Sequence, residues 1–179
     1  MIISVEEAKK HITTTVDNSV LEAKLQALES MVRKYTNNTF VVPNFRFRCQ
    51  IIAQKAYIRH ENIPGLLNVG DTVQISQSVY NDGVYVIKSI DEEGLIELDK
   101  LLLDESEILL SKVEYPMDVK MGVVSLMKWG LENGDKAGIQ SETISRHSVT
   151  YFNMDGDNSV MGYPKSLMGF LKPYMKARF

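Results

Sequence analysis

Tyr115-Pro116-Met117-Asp118-Val119-Lys120-Met121-Gly122-Val123-Val124-Ser125-Leu126-Met127-Lys128-Trp129-Gly130-Leu131-Glu132-Asn133-Gly134 reads as an apolar helix closed by a glycine break. Proline is tolerated in a first helical turn, and the early acid Asp118 suits the positive end of the macrodipole. At 100° per residue Val119, Val123, Val124, Leu126, Met127 and Leu131 share one broad arc. Asp118, Ser125, Lys128 and Glu132 fall opposite. Met121 and Trp129 are large and apolar, yet they project with the polar set. That leaves them as candidates for a contact between subunits, beside the plainer reading of a core helix. Asn133-Gly134 is expected to end the helix in a left-handed turn. Gly138–Ser145 then leads into the β-rich run His147-Ser148-Val149-Thr150-Tyr151.

Working outward, Ser4-Val5-Glu6-Glu7 fits a capping box, predicting a short helix to about Ile12, with Thr13–Thr15 poor at extending it. Asp17-Asn18-Ser19 is a second start signal, with Ser19 and Glu22 repeating the box. Leu21, Leu25, Leu28, Val32 and Tyr35 follow at helical spacing, predicting about 18 residues of helix, or about 27 Å. Thr36-Asn37-Asn38-Thr39 stops it. Past Pro43 the period changes from 3.6 to 2. Phe45, Phe47, Cys49 and Ile51 alternate with Arg46, Arg48 and Gln50, as in a strand with one buried face. Further strands are expected at Thr72–Ser76, Gly83–Ile90, Leu95–Leu98 and Ile108–Val113, separated by turn-forming residues. Short strands at this spacing suggest a small barrel or folded sheet. From Tyr163-Pro164-Lys165-Ser166 a short terminal helix is expected through Leu167, Phe170 and Leu171, kinked or ended at Pro173.

The fold class that follows is α+β. A small helical core of about four helices plus a strand or hairpin, from residues 1–43 and 115–179, carries an inserted barrel-like β-module at 44–114. A chain of 179 residues suffices for one good core with a smaller module. A net charge of −3 offers no global attraction to nucleic acid. The single cysteine, Cys49, excludes an intrachain disulfide and suits a reducing interior. No run of 18 apolar residues and no basic leader is present, so neither a membrane span nor secretion is expected.

Little in the chain points to catalysis. His11, His60 and His147 lie in three different expected elements without ligand-like neighbours. Asp155-Gly156-Asp157-Asn158-Ser159 begins like a calcium loop, but Val160 and Ser166 stand where glycine and glutamate are needed. Cys49 lies on the apolar side of its strand, as a packed inert thiol would. No phosphate loop, dinucleotide fingerprint or nucleophile elbow occurs. No enzyme activity, metal or cofactor is therefore expected. Asp91–Glu107 holds eight acids against one base, Lys100, and would repel a phosphate backbone. Pro164–Phe179 is the reverse. It carries Lys165, Lys172, Lys176 and Arg178 with no acid, interleaved with Phe170, Tyr174 and Phe179. Such a segment is either an amphipathic tail or a docking segment for an acidic partner.

Three features then align. The N-terminal helix pair contains Asp17-Asn18-Ser19-Val20-Leu21-Glu22 and closes on Arg33-Lys34-Tyr35-Thr36-Asn37-Asn38-Thr39-Phe40. Tyr115-Pro116-Met117-Asp118-Val119-Lys120 opens the central helix. Gly138–Ser145, Ser148–Tyr151 and Tyr163-Pro164-Lys165-Ser166 follow in order. Over about residues 1–42 and 115–175 the chain resembles the head–tail connector (adaptor, or head completion) family of long-tailed bacteriophages and their prophages. It departs from that family in Asn37, where a glycine is common, and in the large β-module. The resemblance implies a structural virion protein at the neck, made in the host bacterial cytoplasm. Its copies would form a ring, dodecameric by resemblance, docked under the portal protein and extending the DNA channel. DNA would pass without sequence-specific binding, and tail-completion or stopper proteins would dock on the ring. On this reading Met121 and Trp129 are subunit-interface candidates. Lys165, Phe170, Lys172, Tyr174, Lys176, Arg178 and Phe179 are portal-docking candidates. The alternative is a monomeric β-module that binds peptide or nucleic acid, with Arg46 and Arg48 on one strand face.

Overall fold

The computed structural model describes residues 1–58, 65–91, 93–134, 141–144, 147–150 and 157–177, with the backbone alone for 141–144 and 147–150. The chain divides into two compact units, Thr39–Tyr115 with Met1, and Ile2–Asn38 with Pro116–Phe179. Gly138–Gln140, Ser145, Tyr151, Asp155, Gly156, His60, Arg178 and Phe179 lie outside the described residues.

The first unit is a closed antiparallel barrel of six strands: β1 (Val41–Ile52), β2 (Lys55–Tyr57), β3 (Thr72–Ser76), β4 (Gly83–Ile90), β5 (Leu95–Leu98) and β6 (Glu105–Val113). Around the barrel the order is β1-β2-β5-β4-β3-β6, and β6 returns to pair with β1. Alternation explains the burial. Cys49 and Ile51 point inward from β1, while Arg46, Arg48, Gln50 and Ile52 are exposed. The interior is filled by Ile51, Val73, Ile75, Ile87, Ile96, Ile108 and Leu110, with Tyr85 and Leu102 among them. Branched and β-branched side chains on period 2 suit a small, side-chain-filled barrel. β1 starts earlier than its sequence suggests, at Val41, and its pairing with β6 is irregular between Val41 and Arg46. Pro43 lies in that interval and has no N–H to give the ladder, so the irregularity is expected there. Glu114 N donates to Phe40 O at 3.0 Å, and the Phe40 and Tyr115 rings lie 4.9 Å apart, so the two ends of the unit meet.

The second unit contains α1 (Val5–Lys9), α2 (Asn18–Thr36), α3 (Met117–Asn133), two-residue strands β9 (Ser159–Val160) and β10 (Tyr163–Pro164), and the hairpin β7 (Ser141–Ile144)–β8 (His147–Thr150). A terminal 3-10 helix spans Lys165–Tyr174. Ser4 caps α1 by accepting from Glu7 N at 3.1 Å. Asp17, not Ser19, holds the N-cap position of α2, and Asn37 ends that helix at φ +49°. Asparagine tolerates the left-handed conformation, which is how it stands where glycine is common. Val119, Val123, Val124, Leu126 and Met127 form the buried face of α3. Gly134 keeps helical dihedrals, so the left-handed stop expected there is absent.

These elements overturn the expected fold class. The architecture is not a mostly helical connector core of about four helices with a subsidiary β-insert. A closed six-stranded barrel is the principal feature, and the helices are short. α1 is a five-residue helix, ended before the β-branched Thr13–Thr15 run. The terminal segment winds as a 3-10 helix because Gly169 and Pro173 deprive so short a stretch of α-helical propensity and of a donor.

Candidate interaction surfaces

At one end of the barrel the β3–β4 loop is braced against the β5–β6 connection. Asn81 is 3% exposed, and its side chain spans the gap. Its Nδ2 donates to Leu103 O at 2.9 Å and to Glu105 Oε2 at 3.0 Å, while its Oδ1 accepts from Leu103 N at 2.8 Å. Glu105 also accepts from Val79 N at 2.8 Å and from the Ser78 hydroxyl. Ser78 Oγ accepts from Asn81 N at 2.6 Å, and the Tyr85 hydroxyl donates to Asn81 O at 2.8 Å. The Ser78 hydroxyl, with the Val79 amide and Asn81 amide, holds the Glu105 carboxyl below its usual range, so it stays anionic. The β1–β2 turn joins this end through Gln54 N, which donates to Asp104 Oδ1 at 3.0 Å. Ala53, Gln54, Leu102, Leu103 and Asp104 line a shallow hollow of about 380 Å³ beside it.

What this network holds out to water is apolar. Val79 is 77% exposed, Tyr80 69%, Leu101 84% and Leu103 60%. Sequence reasoning missed this surface, although one signal was available. In Leu101-Leu102-Leu103 an extended backbone can bury only the middle side chain, and Leu102 alone is in the core. Large apolar side chains held outward on a braced scaffold mark an interaction site.

The sequence-selected residues fall mainly in the second unit. Met121 is 37% exposed on α3, with Met117 one turn before it also exposed. Trp129 is half-buried, its ring 5.6 Å from that of Tyr163. Burial raises the Tyr163 phenol pKa. Phe170 packs so closely on α3 that a Cβ on Gly122 would come within 2.4 Å of its ring. Met168 and Leu171 on the same helix are buried. The Tyr174 hydroxyl donates to both carboxylate oxygens of Asp118 at 2.8 Å, which raises the phenol pKa. Three backbone ties extend this anchoring: Asn38 Nδ2 to Tyr174 O at 3.0 Å, Lys176 N to Thr36 O at 2.8 Å and Asn37 Nδ2 to Ala177 O at 2.8 Å. Phe170 and Tyr174 are therefore engaged within their own unit. Lys165, Lys172, Lys176 and Met175 stand exposed beside them.

Arg46 and Arg48 are exposed on β1, and Arg48 is paired with Glu107 on β6. Such an exposed pair contributes little to stability. Cys49 is buried, which pushes its thiol pKa up to about 12 and leaves it a poor nucleophile. Among the described residues no group of three His, Cys, Asp or Glu side chains is placed to hold a metal, and no helix is long and apolar enough to cross a membrane. No protein-family model matches the chain, and no curated protein matches it.

Proposed function

We propose that the chain is a structural virion protein, a head–tail connector whose identical copies form a ring beneath the portal. The ring extends the DNA channel and presents a docking surface to tail-completion proteins. The proposal rests on the order of residues shared with that family rather than on a helical connector fold. The observation that carries it is the barrel end, where the network of buried Asn81 with half-exposed Glu105 keeps Val79, Tyr80, Leu101 and Leu103 in water. A chain invests such rigid order in an apolar surface when a protein covers it. Exposed Lys165 supplies a cation for an acidic portal surface.

Copurification with portal protein tests the proposal. The expected result is a portal-bound ring by electron microscopy, weakened when Lys165 is changed to glutamate. The rival is a monomeric β-module that binds peptide or nucleic acid. The Arg48–Glu107 pair and the acidic excess of the barrel unit oppose nucleic acid. Salt-sensitive oligonucleotide binding by a monomer that ignores portal would favour the rival.

A further inference from the structure

We propose that the barrel end carrying Val79, Tyr80, Leu101 and Leu103 is covered by a second copy of this chain, through its exposed face of Met117, Met121, Lys172, Met175 and Lys176. The inference deepens the connector reading and rests on it for ring closure alone. Charge selects the occupant. The barrel unit's sequence holds twelve Asp and Glu against seven Lys and Arg, whereas the second unit holds eleven against thirteen. Around the barrel end stand Asp82, Asp99, Asp104 and the anionic Glu105. Of the bases near it, Lys55 opens β2 beside Gln54, and Lys100 is occupied by Val84 O at 3.3 Å and lies 5.6 Å from the Tyr85 ring centroid, so the acids outnumber them. Two such ends repel each other, so a symmetric barrel-to-barrel pairing is disfavoured and the complement must be cationic.

The second unit offers that complement. Met117 and Met121 are one turn apart on α3, and Met175 follows Tyr174, whose hydroxyl is bonded to Asp118 beside Met117. Lys172 and Lys176 flank Met175 and are exposed. Asp118 is the acid on this face, and it is engaged by Tyr174. Methionines adapt to the surface they meet and make favourable contacts with an aromatic ring such as Tyr80. The barrel end is already ordered by hydrogen bonds, so contact costs little loop entropy. The two surfaces differ, so each contact leaves one surface of each kind free for the next copy. Such heterologous pairing closes into a ring or runs on as a filament.

Two double variants of the full chain test this by sedimentation velocity. One is Tyr80→Glu with Leu101→Glu; the other is Lys172→Glu with Met175→Glu. All four positions are exposed, and unchanged melting verifies folding. Should a glutamate variant lose its fold, serine at the same positions replaces it. The unsubstituted protein is expected to self-associate, less strongly as salt rises. Each variant alone should associate at least about tenfold more weakly. An equimolar mixture should form dimers and stop there, because one competent surface of each kind remains. Unsubstituted protein that stays monomeric to about 1 mM overturns the inference. So do oligomers that survive in both variants, or a mixture that stays monomeric. Portal copurification separates the two readings. Self-association without portal binding defeats the connector proposal, and portal binding with self-association indifferent to these substitutions defeats the inference alone.

Discussion

Asn81 joins two loops that are far apart in sequence, and its loss should be felt at both. Asn81→Ala takes from Leu103 N and Leu103 O the partner that Asn81 gives them, and is expected to cost about 1–3 kcal/mol in urea unfolding. Amide exchange should rise at Val79 and Leu103 well before it rises in the strands. Acid should act on the same brace. The Glu105 pKa is depressed from 4.5, so its contribution is fully present above that value and is lost as pH falls through the lower folded one. Loop protection that persists at neutral pH and disappears only when pH falls below the ordinary carboxylate range would bear this out; protection indifferent to acid would not. Little of this was legible in advance. Asn81-Asp82-Gly83 reads as turn chemistry, which describes the backbone. Where the Asn81 amide points depends on Leu103 and Glu105, more than twenty residues later. Cys49 was legible, because one residue on an alternating strand already fixes which side its thiol faces.

Among the elements, α2 and α3 were read well because their apolar residues recur at 3.6. The terminal helix was read in its place but not in its 3-10 winding or its packing, because its partner is a gap rather than a pattern. Gly122 leaves room for the half-buried Phe170 ring, which packs there on α3. Gly122→Ala gains helix propensity of about 1 kcal/mol, yet its Cβ would lie 2.4 Å from Phe170. We expect the clash to win, with a net loss of about 1–3 kcal/mol by chemical denaturation. Unchanged or raised stability would show that Phe170 can leave α3 freely. Buried Met168 and Leu171 carry a related consequence. Deleting everything beyond Tyr163 would open the core of the second unit, so charge reversal at exposed lysines is the cleaner probe of docking. Trp129 divides its ring between Tyr163 and solvent, so Trp129→Ala would mix folding with assembly.

At the scale of the molecule, the change of hydrophobic period at Pro43 pointed to a separate β-region. The ranges read for the third to fifth strands coincide with β3, β4 and β5. A small barrel was one of two readings, beside a folded sheet, and the strand order that closes it was not legible. Alternation tells which face a strand buries, but not that β6 will find β1. The short β2 left no pattern long enough to read. The expectation of a dominant helical core failed because resemblance at the two ends of the chain weighed more than the strands between them. Residues 39–115 expressed alone are expected to fold, since Glu114 meets Phe40 where the chain would be cut. A β-type circular dichroism spectrum with one cooperative melt is the expected outcome, and a disordered spectrum would show that the barrel needs the rest of the chain. Closure also restricts how this unit can meet others. Each of the six strands pairs with two neighbours over at least part of its length, so among the described residues no strand of the barrel is a free edge from end to end. Recognition at the braced end is then written in side chains on loops, which can drift to fit a new neighbour while the hydrogen-bonded wall behind them stays as it is.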